Sequence, residues 1–206
     1  MNNQSKSSIS EHKTTRQLQA EQTKNKLLSV ALKLVKSQGF ENVKISDICN
    51  EVGVSTGAFY HHLVNKDGIV VEAYAQCDRY FENEIYPQFK DRHDLEAITD
   101  YIDCQIQYAI DTGVDLTTQI YKAQLQNGTE FFLSESRGLP NGLTRSIKHL
   151  QEHKVLSDKK SAEQLSNEFL VISRGVIYNW CLTKGGYDPK KFSHEIFGTY
   201  LKAYTI

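Results

Sequence analysis

The sequence predicts an all-α protein, and three observations carry that prediction. Apolar residues recur at three- and four-residue spacing along most of the 206 residues, and no stretch alternates apolar with polar as a half-buried strand would. Only three prolines interrupt the chain, and Gly39, Gly53 and the pair Gly185–Gly186 stand where periodic stretches stop. Residues 44–67 read as two short helices with a tight turn between them. No internal repeat is present.

In chain order, residues 1–13 are rich in Ser, Asn and Gln and read as a disordered arm. A first helix is predicted over 15–38. Its apolar stripe is Leu27, Val30, Ala31, Leu34 and Val35, and Gly39 ends it. Arg16, Lys24 and Lys26 lie near its start, where the helix dipole gives a cation no support. They fit a phosphate-contacting face or a solvated one.

Ile45, Ile48, Cys49 and Val52 give the next helix one apolar face. Gly53 can turn the chain in the left-handed conformation at little steric cost. Val54 is an apolar plug in the turn. The Ser55 hydroxyl can accept from the free amides that open the following helix. Phe59 and Leu63, four apart, form that helix's buried stripe, so Gly57, Ala58, Tyr60 and His61 point away from the core. The pattern is a helix-turn-helix whose second helix has a small-then-aromatic outer face.

A fourth, longer helix is predicted from Lys66–Asp67 to about Ile85, before Pro87, with Val70, Val71, Tyr74, Cys77 and Phe81 on its apolar face. It can join the motif to the rest of the chain. Asp94 is expected to cap a helix over 95–111, followed by one over 115–126 and a short one near 130–134. Residues 138–142, Gly-Leu-Pro-Asn-Gly, read as a turn before a helix over 143–153. Asp158 opens the longest stretch, to about Leu182, with Leu165, Phe169, Ile172, Val176 and Trp180 apolar. Asp188–Pro189 starts the last helix, with Pro in its tolerated first turn.

At Gly39-Phe40, Ile45, Asp47-Ile48, Gly53-Val54-Ser55, Gly57, Phe59-Tyr60, His62 and Lys66, the chain resembles the DNA-binding domain of the TetR family of bacterial repressors, over about residues 24–70. One departure is Val43-Lys44, where many members carry two Thr; the cap of the first motif helix would then fall to Asn42 or Ser46. The resemblance implies DNA contacts from Lys44, Ser46, Ser55, Thr56, Gly57, Ala58, Tyr60, His61, His62 and Lys66. Tyr60 and Lys66 would meet phosphate, and Thr56 and His61 would lie nearest the bases.

A second signature, Arg174-Gly175, Asn179-Trp180 and Gly185-Gly186-Tyr187-Asp188, resembles the end of many regulatory domains of that family. It implies a homodimer in which the last two long helices pair with those of a second subunit. Phe169, Ile172, Gly175, Val176, Trp180, Phe197 and Tyr200 are the expected interface. Gly175 inside a helix costs about 1 kcal/mol relative to Ala; close helix approach or a tight internal packing site would offset it. The body is rich in aromatics. Tyr101, Gln105 and Tyr108 share one helical face, and with Tyr74, Cys77, Phe81 and Tyr121 they are the candidate lining of a small-molecule pocket. Singly, each fits an ordinary core position as well.

The chain carries 24 basic and 25 acidic residues, a net charge of −1. Residues 1–66 hold nine Lys or Arg against five Asp or Glu, so a basic end sits beside an acidic body, as suits contact with nucleic acid at one end. Cys49, Cys77, Cys104 and Cys181 form no Cys-x-x-Cys pair and read as small apolar residues. His149 and His153 have a metal-compatible spacing, but Lys148, Gln151 and Glu152 around them read as a solvated face. No metal or other cofactor is expected. Nor is an enzyme: no nucleophile motif or glycine-rich phosphate loop is present. Residues 1–15 lack an apolar signal region, and no run approaches the ~18–20 apolar residues that span a bilayer. A cytoplasmic setting without membrane contact is the expectation.

The expected organisation is therefore an arm over 1–13, a three-helix helix-turn-helix DNA-binding domain over 14–66, and a helical ligand-binding and dimerisation domain over 67–206. The expected function is a homodimeric repressor, released from a pseudo-palindromic double-stranded operator by a small-molecule effector of unknown identity. The alternative is a DNA-binding structural or interaction protein of the same fold without an effector.

Overall fold

The computed structural model describes residues 14–127 and 137–205. The helix expected near 130–134 and the arm over 1–13 lie outside them. Among the described residues the regular elements are all helices, with one isolated bridge between Leu156 and Thr205. The helices are α1 (Thr15–Gln38), α2 (Ile45–Val52), α3 (Thr56–Leu63), α4 (Asp67–Tyr80), α5 (Tyr86–Phe89), α6 (Glu96–Thr112), α7 (Val114–Asn127), α8 (Gly138–Glu152), α9 (Ala162–Leu182) and α10 (Pro189–Tyr200). None of them is long and apolar enough to cross a membrane.

α1 opens on a reciprocal cap. The Thr14 hydroxyl accepts from the Gln17 amide, and the Gln17 side chain accepts from the Thr14 amide. At the end of α2, Gly53 takes the left-handed conformation (φ 79°, ψ 37°), and its amide donates to the Cys49 carbonyl. Neither expected cap of α2 is used. Lys44 occupies that position without a side-chain bond, the Asn42 amide donates to the Gln38 carbonyl, and the Ser46 hydroxyl turns to Asp47. Asp47 in the first turn supplies the favourable charge instead.

Three boundaries differ from the sequence expectation. The fourth helix does not stop before Pro87. It passes through a π-helical turn, Phe81–Ile85, into α5, so that Pro87 falls in the first turn of a restarted helix, where no amide donor is needed. The expected turn over 138–142 is the opening of α8. Its glycines serve close packing: a Cβ on Gly138 would collide with the Asp78 carbonyl, and one on Gly142 with the Tyr101 hydroxyl. The longest helix starts at Ala162, capped reciprocally by Ser161 and Gln164, rather than at Asp158.

Two cores result. One joins Leu27, Leu28, Ala31, Val35, Ile48, Phe59 and Leu63 of α1–α3 to Ile69, Val70, Ala73 and Tyr74 of α4 and to Leu116 and Ile120 of α7. The other runs from Cys77 and Phe81 through α6, α8 and α9 to Phe197 and Leu201. A helix-turn-helix of this size has little interior of its own and closes it with α4 and α7. The Phe40 amide also donates to Asp115 at the start of α7, at 2.6 Å. The α1–α2 turn is thereby held to the body.

Candidate functional site

The first candidate surface is the outer face of α3. The Ser55 hydroxyl accepts from the Ala58 amide and fixes the start of the helix. Phe59 and Leu63 are buried beneath it, which leaves Ser55, Thr56, Gly57, Tyr60 and His61 exposed and Ala58 and His62 half-buried. Lys44 and Ser46, at the start of α2, are exposed too. Gly57 is informative. A Cβ added there would meet only the Ser55 hydroxyl, at an ordinary 3.7 Å. The protomer's own packing does not require the missing side chain.

Lys66 sits differently from the expectation that it meets phosphate. Its ammonium donates to the Glu41 carbonyl at 3.1 Å and lies over the Phe40 ring, bracing the α3–α4 turn against the α1–α2 turn. Of the basic residues near the start of α1, Lys24 is paired with Glu72 of α4 at 2.5 Å, while Lys26 is exposed. Burial pushes the His62 pKa down, and the charges of His61 and Lys24 add to that.

The α3–α4 turn carries backbone strain. Val64 has φ 62° and ψ −51°, and the Asn65 amide donates to the Leu63 carbonyl at 2.6 Å across it. This is a γ-turn with a β-branched residue at positive φ, a rare and costly conformation. Two neighbouring features brace it. The Asn65 side chain accepts from the Gly68 amide, and Gly68 lies so close to the Leu63 carbonyl that any Cβ would overlap it.

The second candidate is a narrow, partly open cavity of about 70 Å³, walled by Tyr74 and Cys77 of α4, Gln105 and Tyr108 of α6, Tyr121 of α7, and Ile177 of α9. Five of the seven residues expected to line a pocket meet there. Phe81 and Tyr101 do not. Both are fully buried against each other, and the Tyr101 hydroxyl donates to the Leu139 carbonyl. They are core residues; helical periodicity gives both a buried face without saying which neighbour fills it.

Arg137 and Arg174 also line the cavity; Arg137 had no signal in the local sequence, and Arg174 stood out only as part of the Arg174-Gly175 signature. The Arg137 guanidinium pairs with Asp78 at 2.7 Å and lies over the Tyr74 ring at 4.1 Å. Burial pulls the Arg174 pKa down, and Arg137 adds to that shift. Burial likewise pushes the Tyr74, Tyr108 and Tyr121 phenols up, so they are neutral hydrogen-bonding groups. The Cys77 thiol is pushed up to about 12 by burial and by Asp78, and burial also raises Cys104. Neither carries thiolate character at neutral pH.

The last two helices present a third surface. Of the residues expected at a dimer interface, Phe169, Val176, Trp180 and Phe197 point into the protomer's own core, and Ile172 and Tyr200 are half-buried. Only Gly175 is exposed, with nothing near its missing Cβ. The outer stripe of α9 is instead Val171, Gly175, Tyr178 and Leu182, and Phe192 and Gly198 are exposed on α10. The apolar period was legible, but it marked the inward face.

A three-helix head whose third helix has an exposed outer face, seated on a larger helical body, has the architecture of a helix-turn-helix protein. Residues 27–73 match the family described as "Bacterial regulatory proteins, tetR family". The regulator UidR of Escherichia coli K12 is 28% identical over 54 residues, 26% of this chain and 28% of UidR, so that match spans little more than a quarter of the relative. The regulator AcrR of Shigella flexneri is 21% identical over 202 residues, covering 91% of this chain and 92% of AcrR. Among solved structures, Thermus thermophilus FadR, a TetR-family repressor in complex with lauroyl-CoA, superposes with a TM-score of 0.65 at 16% identity, over 84% of this chain and 90% of that one.

Proposed function

We propose that the chain is a DNA-binding transcriptional repressor that acts as a homodimer and is released from its operator by a small molecule. The observation that carries this reading is the α3 face. It exposes hydroxyl, phenol and imidazole groups that suit phosphate and base edges, around a glycine that the fold itself does not need. A smooth spot at Gly57 would let the helix backbone approach the groove. In this reading Thr56 and His61 face bases and Tyr60 faces phosphate. Lys44, Ser46, Ser55, Ala58 and His62 flank them, and Lys66 acts through the Glu41 turn it braces.

The DNA-binding part is residues 14–66 and the regulatory part 67–206, with α4 belonging to both cores and connecting them. The dimer would use the outer stripe of α9 with α10, where Gly175 and Gly198 permit close helix approach. The setting is cytoplasmic, and no catalytic role is proposed.

The effector would enter the cavity beneath α4. Its apolar walls and two guanidinium groups suit an apolar molecule with a carboxylate or another acceptor group. At about 70 Å³ the cavity is well below the ~300–1,000 Å³ of occupied ligand sites, so binding requires α4 and α6 to move apart. That requirement supplies the switch: a ligand that binds only the opened form shifts the population away from the DNA-competent one. The small volume also favours the second reading, a DNA-binding protein without an effector.

Footprinting on the chain's own promoter, followed by titration with apolar carboxylates, separates the two. An effector that weakens operator binding must itself bind more weakly in the presence of operator, by the same factor. Operator binding that no ligand alters would favour the second reading. Failure to discriminate any promoter sequence from random DNA would overturn both.

A further inference from the structure

We propose that His93, His149 and His153 form a binding site for a divalent transition-metal cation of the zinc class. The three imidazoles come from two elements. His149 and His153 lie four apart at the end of α8, and His93 sits in the turn before α6. The His149 and His153 ring centroids are 4.3 Å apart and lie 4.7 and 4.5 Å from that of His93. One nitrogen of each lies within 4.8 Å of the others. A tetrahedral ion with bonds of about 2.0–2.1 Å needs nitrogens roughly 3.3 Å apart. Rotation of the exposed His93 ring, with a small shift of the α8 end, can close that gap.

Two hydrogen-bonding details point to a ligand rather than to chance clustering. Nε2 of His149 is buried and has no hydrogen-bond partner, which is uncommon for a polar atom and calls for a physical cause. Nδ1 of His153 lies 2.8 Å from the His149 carbonyl. That carbonyl can only accept, so Nδ1 carries the proton and the Nε2 lone pair is left for a metal. Metal-binding histidines are oriented by this kind of outer-shell bond.

The turn that carries His93 is also held in place. The neighbouring Arg92 guanidinium binds both Asp94 and Asp100 and lies over the Phe89 ring. An all-imidazole set selects zinc, cobalt, nickel or copper over magnesium or calcium. Three ligands leave a fourth position for water or a neighbouring carboxylate. An ion there would tie the turn before α6 to the far end of α8 from the cavity.

The test uses the full chain without a histidine tag, stripped with a chelator and titrated with Zn²⁺ by calorimetry and with Co²⁺ by visible absorption. The expected result is one ion per chain, with the absorption of tetrahedral cobalt and a Zn²⁺-dependent rise in Tm. His93→Ala, an exposed change, should weaken binding at least tenfold and leave the metal-free Tm unchanged. His149→Ala should abolish the rise in Tm. His61→Ala with His62→Ala should bind as the parent does, and Mg²⁺ should give no response. Binding of equal strength in the His93 variant, or its loss only in the His61–His62 variant, would overturn the proposal. So would the absence of any Zn²⁺ response in the parent chain.

Discussion

The helix-turn-helix end and the helical body are made of similar amphipathic helices, yet their functional surfaces arise in opposite ways. In the first, buried and exposed roles follow from neighbours a few residues away. Ser55 caps the helix it precedes, Gly53 ends the helix it follows, and Phe59 and Leu63 fix which way Tyr60 and His61 point. In the body the same periodicity marks buried positions without saying what fills them. The Tyr101 hydroxyl reaches a carbonyl 38 residues away, that of Tyr121 one 53 residues away, and Arg137 an aspartate 59 residues away. An exposed helix face can thus be specified locally, whereas a cavity is specified by the whole fold.

The largest expected effect tests that separation directly. Phe59 is fully buried, and Phe59→Ala should cost about 3–5 kcal/mol, lowering Tm and abolishing DNA binding together. Gly57→Ala should do the reverse. It adds a methyl where the protomer has room, so Tm should hold or rise, while specific DNA affinity should fall about tenfold, or 1.4 kcal/mol. Thermal melts and DNA titrations on both variants decide it. Loss of Tm in Gly57→Ala would mean that the glycine serves the fold after all.

The next effect lies in the body. Arg137→Ala removes the partner of Asp78 and the cation over Tyr74. Fully buried pairs broken on one side cost about 3–5 kcal/mol. Asp78 keeps 21% of its side chain exposed, so about 2 kcal/mol is expected here, read from denaturant midpoints. Leucine at the same position should recover part of the packing and none of the charge pairing. If both variants melt like the parent, the cavity wall is not organised around this pair.

Legibility followed the same division. The fold class could be read from the helical spacing along most of the chain, and the motif and its exposed face from residues 44–67. So could the caps at Ser55 and Gly53, because capping and left-handed glycines are local physics. The π-turn that carries the chain past Pro87 was not legible, nor were the packing glycines at 138 and 142. The roles of both depend on what lies opposite: Asp78 and Tyr101 in the case of the glycines. The inward turn of Phe169, Val176, Trp180 and Phe197 was hidden likewise. An apolar stripe says that a helix face is covered, not whether its own chain or a second copy covers it. His93 had no pattern at all until the fold set it beside α8.

A smaller effect concerns the join between the two regions. Val64 holds positive φ in the γ-turn that leads into α4, at a cost of about 1–3 kcal/mol for such backbone conformations. Val64→Gly should relieve roughly 1 kcal/mol of it, since glycine adopts this region freely and the side chain is 75% exposed. Glycine also loosens the unfolded chain, which reduces the gain. A lower Tm in this variant would show that the turn is not strained in solution.

The smallest effect is electrostatic and links α1 to α4. Glu72 accepts from Lys24 at 2.5 Å and from Arg79 at 2.9 Å. Burial alone would raise its pKa, but the two hydrogen bonds outweigh burial and hold it below the ordinary carboxylate value. The sign follows from proton counts. Between the folded and unfolded values the unfolded chain binds more protons, so stability rises with pH there. The contribution is complete above the unfolded value near 4.5 and is lost as pH falls through the folded one. His62 acts in a different window. Its lowered pKa makes protonation favour the unfolded chain, so its loss begins as pH drops below about 6.5. Melting curves from pH 8 to pH 3 should therefore show two acid steps. Glu72→Gln should remove the lower step and cost about 0.5 kcal/mol at neutral pH, since Lys24 and Arg79 are 34% and 54% exposed and solvent screens such pairs. His62→Ala should remove the upper step alone. Salt should shrink the Glu72 difference. A lower step that survives in Glu72→Gln would assign it to other carboxylates and leave Phe40–Asp115 and the shared core as what holds the reading end to the body.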